Sequence, residues 1–256
     1  MDKCNDRLNP GCYFKVMGMR VDVTSLDGAT EQLVNIAASR GEGYVCAANV
    51  HMCMEAHDDE GFQQIVNDAS LVVPDGKPLV WWMRAFGIRA VQQVRGPDLF
   101  LSVSNAASAQ GIPISLYGGT LEVLGRLQKF LKSQYPDLRI ANAISPPFRE
   151  LTEKEERSYI DEINRSGAKI LFVGLGCPKQ EKWMAHNTKR VEALMIGVGA
   201  AFDFYAGTKK IAPEWMRKSG LEWLHRLFSE PRRLWRRYLW NNPRFVYRFI
   251  MEWMSR

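Results

Sequence analysis

The chain is most easily approached through what it lacks. No run of about 18 apolar residues occurs, so no segment is long and apolar enough to span a bilayer as a helix. The first residues, with Asp2, Lys3, Asn5, Asp6 and Arg7, lack the apolar core of a secretion signal, so a cytosolic protein is expected, touching a membrane from one side at most. The five cysteines (Cys4, Cys12, Cys46, Cys53, Cys177) are odd in number and have no CxxC spacing. That argues against a zinc ribbon and against a disulfide framework and leaves incidental or buried thiols as the expectation. No HExxH, Cys/His cluster or Asp-X-Asp triplet is present, so no metal ligands are expected. The nearest string, His57-Asp58-Asp59-Glu60, falls in a polar helical stretch and reads as a solvated face. With no Gly-X-Y period, biased tract or repeat of about 20 to 50 residues, fibrous and solenoid folds also fall away. At 46% hydrophobic over 256 residues, a globular body with a large core remains.

Charge is unevenly placed. Residues 1–213 carry 24 basic and 24 acidic side chains, whereas 214–256 carry 10 and 4, so the tail holds the whole net charge of +6. Five of the eight tryptophans lie there too: Trp215, Trp223, Trp235, Trp240 and Trp253. A neutral body with a basic, Trp-rich tail suggests a polyanionic partner, either nucleic acid or an anionic membrane face. The plainer alternative is a helical subdomain with solvated arginines outside and tryptophans in its core.

Along the first two hundred residues, short apolar runs alternate with amphipathic stretches. Strands are predicted at Phe14–Val23, Tyr44–Ala48, Leu71–Pro74, Pro113–Tyr117, Leu138–Ile144, Ile170–Gly174 and Ala193–Val198. Helices are predicted at Leu26–Arg40, Lys77–Phe86, Pro97–Gln110, Leu121–Ser133, Glu153–Asn164 and Lys179–Arg190. Repeated strand-helix-strand order demands right-handed crossovers, hence an α/β fold: a Rossmann-like, mostly parallel sheet flanked by helices. Beyond it, three Pro-bounded amphipathic helices (Pro213–Ser229, Pro231–Asn242, Pro243–Arg256) form a C-terminal helical appendage. Residues 1–212 are thus read as the α/β domain and 213–256 as the appendage.

Ligands of such sheets bind at the carboxyl ends of strands. Gly174-Leu175-Gly176-Cys177-Pro178-Lys179-Gln180 follows one strand, but Lys179 stands where GxGxxG needs a small residue, which weakens a dehydrogenase reading. Glycines at Gly174 and Gly176 and a following helix N-terminus still suit an anion, with Lys179 and Gln180 adding a charge and an amide; a simple tight turn is the alternative. Gly118-Gly119-Thr120 is a second loop of this kind. Asp75, held at a strand end with Gly76 behind it, suits a general base taking a proton from a hydroxyl, or equally an N-cap for the helix beginning near Lys77. Asn49 and His51 occupy a similar strand end, where an isolated His is more often packed than catalytic.

Seven strings in order carry a resemblance: Asn49 before His51, Val73-Pro74-Asp75-Gly76, Arg95-Gly96-Pro97-Asp98-Leu99, Gly174 to Glu181, Gly197 to Asp203, Ala212-Pro213 and Gly220-Leu221-Glu222-Trp223. Together, over about residues 15 to 245, the chain resembles the WecG/TagA/CpsF family of bacterial glycosyltransferases. The resemblance implies inverting, metal-independent transfer from a UDP-sugar donor to a polyprenyl-diphosphate-linked saccharide acceptor, without a cofactor. It places the enzyme peripherally on the inner face of the cell membrane, in cell-surface polysaccharide or exopolysaccharide biosynthesis. On matching positions, Asp75 is the expected base, and Asn49 and Gln180 hold donor or acceptor beside it. Arg95 is expected to contact diphosphate and Asp203 to orient nucleotide or sugar. The appendage is expected to bind the anionic membrane surface and to complete the active site with Arg226, Arg233 and Arg236, which would stabilise departing UDP. No nucleic-acid partner is implied, and a homo-oligomer is compatible with it. Ala47 departs from the family, which usually has Thr two residues before the Asn. A non-enzymatic nucleotide-sugar sensor or nucleic-acid binder stands as the alternative.

Overall fold

The computed structural model describes residues 11–39 and 41–255. The chain opens with an antiparallel hairpin, β1 (Tyr13–Val16) and β2 (Met19–Asp22). The sequence reading had one strand across Phe14–Val23; instead Met17 (φ 51°) and Gly18 (φ 85°) turn the chain back in a tight two-residue loop that needs positive φ at both positions.

The elements that follow are α1 (Leu26–Ala38), β3 (Gly43–Ala48), α2 (Val50–Asp58), α3 (Glu60–Asn67), β4 (Leu71–Pro74), α4 (Lys77–Ala85) and α5 (Gly96–Ala109). Next come β5 (Ile114–Gly118), α6 (Leu121–Gln134), β6 (Ile140–Ile144), α7 (Glu153–Arg165), β7 (Ile170–Gly174), α8 (Lys179–Asn187), β8 (Leu194–Gly197) and α9 (Ala201–Tyr205). Strands β3 to β8 form one six-stranded sheet in the order β4-β3-β8-β7-β5-β6, with every pairing parallel. The fold is therefore the α/β, Rossmann-like one expected.

Continuous apolar runs suit strands covered on both faces, and the side chains alternate accordingly. Tyr44, Cys46, Val72, Leu171, Val173 and Met195 join one core layer; Val45, Val73, Ile170, Phe172, Leu194 and Ile196 join the other. The first layer is covered chiefly by α2, α3, α4 and α8, the second by α1, α5, α6 and α9. Cys46, Cys53 and Cys177 are free thiols, but Cys12 is disulfide-bonded, against the expectation of incidental thiols throughout.

The appendage comprises α10 (Glu214–Lys218), α11 (Glu222–Ser229) and α12 (Pro231–Met254). It departs from the expected three helices in two places. Gly220 (φ +74°) ends the first piece early, because the chain must pass so close to Trp81 that a Cβ on Gly220 would lie 2.8 Å from its ring. Conversely, α12 runs through Pro243 without ending. Pro243 removes one donor to the preceding turn, yet Tyr238 and Asn241 before it and Phe245 after it are all buried, and this packing carries the helix across. Arg244 fastens α12 to the end of α2 by a two-pronged ion pair with Asp58 (2.6 and 2.8 Å).

Candidate active site

The carboxyl ends of β3 and β4 lie side by side and project Asn49 and Asp75. Gly76 permits this approach, since a Cβ there would sit 3.0 Å from the Asn49 backbone. Asp75 is not the N-cap of α4; that position is Gly76, and no side chain caps the helix. Its Oδ1 instead accepts the N–H of Gly96 (2.8 Å), in the first turn of α5, and its Oδ2 accepts from Asn49 Nδ2 (3.4 Å). Asn49 is held in turn by capping α2, accepting the N–H of Met52 (3.2 Å). Burial, and next the negative charge of Glu222, push the Asp75 carboxyl up from 3.8 to about 6, against the opposing pull of the Gly96 N–H, Arg95 and Asn49. It is ionised at neutral pH yet far more basic than an ordinary aspartate.

His51 is the packed histidine. Burial, with the charge of Arg237, lowers it to about 4, and its Nδ1 lies 3.1 Å from Asn241 of α12.

Asp75 opens into a cleft of about 390 Å³ between the body and the appendage. Asn49, Lys77 and Gln93 line it from the body; Arg217, Glu222, Arg226 and Arg237 line it from α10, α11 and α12. Arg217, Arg226 and Arg237 each keep a buried Nε without a protein partner. Three guanidinium groups thus line one cleft with a carboxylate and keep donor capacity unspent, an arrangement suited to an anion. Of the three arginines expected from the sequence, only Arg226 lines it. Arg233 is exposed and paired with Glu230 (2.8 Å), and Arg236 lies over the ring of Trp235 (5.2 Å) on the outer surface. Helical phase is the signal that distinguishes them: Arg237 is three residues after buried Leu234 and four before buried Asn241, whereas Arg233 and Arg236 fall off that stripe. Arg217 had no such signal, because α10 buries no residue.

Other expected residues are placed differently. Arg95 is 6% exposed and does not itself line the cleft: its Nε donates to Glu222 (2.9 Å) and its Nη1 to Asp98 (3.1 Å), tying α5 to α11, while its Nη2 is buried without a protein partner. Gln180, 3% exposed, is a brace. Its Oε1 accepts from the N–H of Gly176 (3.3 Å) and Gly199 (3.2 Å), and its Nε2 donates to Glu181 (2.6 Å), locking together the loops after β7 and β8. Glu181 beneath it is pushed up to about 7 by burial. Asp203 pairs with Lys209 (3.0 Å), which also reaches Glu230 (3.4 Å) at the joint of α11 and α12.

The glycine loops form a second group at the ends of β5, β7 and β8. Gly118 and Gly174 are in backbone contact, a Cβ on Gly118 meeting the Gly174 carbonyl at 2.7 Å. Gly119 and Gly176 both take positive φ, nothing would meet a Cβ on Gly176, and exposed Lys179 opens α8. Among the described residues, no group of three or more His, Cys, Asp or Glu side chains is arranged to hold a metal ion. Nor is any helix there long and apolar enough to cross a membrane.

The site therefore combines a doubly covered parallel sheet, a carboxylate at a strand end and an arginine-bearing helical appendage closed over it. Residues 14–256 match the Glycosyl transferase WecG/TagA/CpsF family, and the chain belongs to that family. It is thus a glycosyltransferase, and the non-enzymatic and dehydrogenase alternatives fall. Among its relatives is the N-acetylglucosaminyldiphosphoundecaprenol N-acetyl-beta-D-mannosaminyltransferase of Bacillus subtilis (strain 168), 28% identical over 210 residues that cover 81% of this chain and 79% of the relative.

Proposed function

We propose that this chain transfers a sugar, with inversion and without a metal, from a UDP-sugar to a polyprenyl-diphosphate-linked saccharide at the inner face of the cell membrane. The Bacillus relative's name makes N-acetylmannosamine the first donor sugar to test and an N-acetylglucosaminyl-diphosphate lipid the first acceptor. The observation that carries the reading is the meeting of Asp75, Asn49 and three unpartnered arginine Nε atoms in one cleft.

In this scheme Asp75 takes the proton of the acceptor hydroxyl as that oxygen attacks the anomeric carbon, and UDP leaves from the opposite face of the sugar. Asn49 keeps Oδ2 aimed into the cleft. Gly96 holds Oδ1, so the carboxylate cannot swing away. The glycine loops Gly118-Gly119 and Gly174-Leu175-Gly176, with Lys179 at the start of α8, hold the donor diphosphate; Gln180 acts by fixing the shape of those loops. Asp203 and Arg95 act through the appendage, holding it closed by the Lys209–Glu230 and Glu222 contacts. The exposed apolar residues of α12, among them Leu239, Trp240, Ile250, Trp253 and Met254, are the membrane face, with exposed Arg232, Arg236 and Arg248 suited to lipid phosphates.

The test is UDP release from a panel of UDP-sugars, with and without a short-chain polyprenyl-diphosphate saccharide and with and without EDTA. Acceptor-dependent release that survives EDTA is expected. Release abolished by EDTA would remove the metal-free part of the scheme, and no release with any pair would remove the substrate assignment.

A further inference from the structure

Glu181 has no part in the chemistry described above, yet its setting is costly. It is the third residue of α8, 0% exposed, and does not line the cleft. Its Oε1 accepts from Gln180 Nε2 (2.6 Å), and its Oε2 is buried without a hydrogen-bond partner among the described residues. The groups that face it are Cys46 of β3, Cys177 just ahead of α8 and Arg237 of α12; the Cys177 thiol and the Arg237 charge favour the ionised carboxyl, but burial outweighs them. An apolar side chain of the same size would fit such a place at lower cost. What the carboxyl supplies is one acceptor, aimed at one nitrogen.

The value of that acceptor follows from the chemistry of a side-chain amide, whose two ends match in size and oppose in function. Gln180 Oε1 accepts the N–H of Gly176 (3.3 Å) and of Gly199 (3.2 Å), stitching the loop after β7 to the loop after β8. With the amide turned over, Nε2 would face those two N–H groups, donor against donor, and both ties would be lost. Glu181 opposes the turn, because Oε1 would then meet a carboxylate oxygen. Gln180 is 3% exposed, so neither end can turn to water instead. Gly197 makes the room for this arrangement, since a Cβ there would lie 2.9 Å from Gln180 Nε2.

We propose that Glu181 is a positioning residue for donor binding: it locks the Gln180 amide in the one orientation that ties the Gly174-Leu175-Gly176 loop to Gly199. It touches no substrate and acts only through Gln180. The inference rests on the reading that the glycine loops hold the donor diphosphate.

Two variants of the full chain test it. Glu181→Leu fills the same space without an acceptor, whereas Glu181→Gln keeps a carbonyl oxygen for Gln180 Nε2. Amide hydrogen exchange of the free protein reads the tie directly. Over residues 174–179 and 197–201, exchange should be faster than in the wild type by about tenfold or more in Glu181→Leu and within about threefold in Glu181→Gln, with α1 unchanged in both. Titration calorimetry with UDP should show affinity lowered by about tenfold in Glu181→Leu and restored in Glu181→Gln. Melting points should stay within about 4 °C of the wild type, because the lost hydrogen bond is offset by removal of a buried carboxyl. Unchanged exchange in Glu181→Leu, or equal losses in the two variants, would overturn the lock while leaving the donor reading intact. A melting point that falls in step with UDP affinity would reduce Glu181 to a structural residue and overturn the proposal. Faster exchange with unaltered UDP affinity would instead sink the reading that these loops hold the donor, and the positioning role with it.

Discussion

Replacing Asp75 by Asn should make the protein more stable and nearly inactive at the same time. The carboxyl titrates at about 6 instead of 3.8, so the folded state disfavours the ionised form by about 3 kcal/mol, at about 1.4 kcal/mol for each tenfold change in proton affinity. Asn at this position carries no charge, and its oxygen still accepts the Gly96 N–H that Asp75 Oδ1 accepts now. Part of the gain is lost because the new amide faces Asn49 Nδ2, a donor against a donor, at a cost of about 1–2 kcal/mol. A net stabilisation of about 1–2 kcal/mol remains, or a melting point about 2–8 °C higher for a chain of this size. The pH dependence has a definite sign. Because the folded value lies above the unfolded one, the wild type bears the full penalty above pH 6 and sheds it as pH falls from about 6 towards 3.8; the advantage of the variant should therefore be largest at pH 7 to 8, vanish near pH 5 and become a deficit of about 1 kcal/mol near pH 4. Turnover should fall by about 10²- to 10⁴-fold, the range for loss of a general base, with donor binding little changed. Paired thermal melts across pH, with UDP-release kinetics at pH 7.5, check both parts. A variant that melts no higher than wild type at pH 7.5, or that retains near-normal turnover, would refute the assignment of Asp75 as a base of raised proton affinity.

Two further outcomes separate the arginines and test the appendage. Arg217→Ala, Arg226→Ala and Arg237→Ala should each lower kcat/KM by about 10- to 100-fold, the loss of one charge-assisted hydrogen bond in a sheltered site. Arg233→Ala and Arg236→Ala, both on the exposed surface, should stay within about twofold in detergent solution, where the membrane plays no part; a large loss in either would place the anion site elsewhere. In Glu222→Gln, removal of the negative charge that raises Asp75 should shift the acid limb of the kcat/KM profile to lower pH. An unmoved limb with reduced activity would mean that Glu222 acts only by holding Arg95.

How far the site could be read in one dimension depended on how local each residue's job is. The placing of Asp75 and Asn49 at neighbouring strand ends was legible because a polar residue directly after a buried parallel strand has few places to go, whereas the role given to each came from the resemblance. The glycine loops were legible because Gly118 and Gly119 need positive φ and close backbone approach, demands that only glycine meets. Gln180 and Arg95 were visible as motif residues, but what they touch was not: Gln180 meets Gly199 only because β8 lies beside β7, and Arg95 meets Glu222 across 127 positions of sequence. The hairpin at Met17-Gly18 was missed because the apolar alternation continues through the turn, leaving no composition change to mark it.

By itself, then, the sequence determined the α/β class, the parallel sheet, the strand ends that carry the candidate residues and the amphipathic, basic character of the tail, all of which follow from periodicities and turn residues acting over a few positions. Only the tertiary structure decided which face of the tail turns inward. That choice rests on contacts between distant segments: Trp81 against Gly220, Trp82 against Phe245, and Arg244 against Asp58. These select Arg237 over its neighbours Arg233 and Arg236, and they build the cleft from two parts of the chain, neither of which holds it alone. The basicity of Asp75 belongs to the same level, because it arises from burial by the folded body and from the charge of Glu222, brought in by the docked appendage.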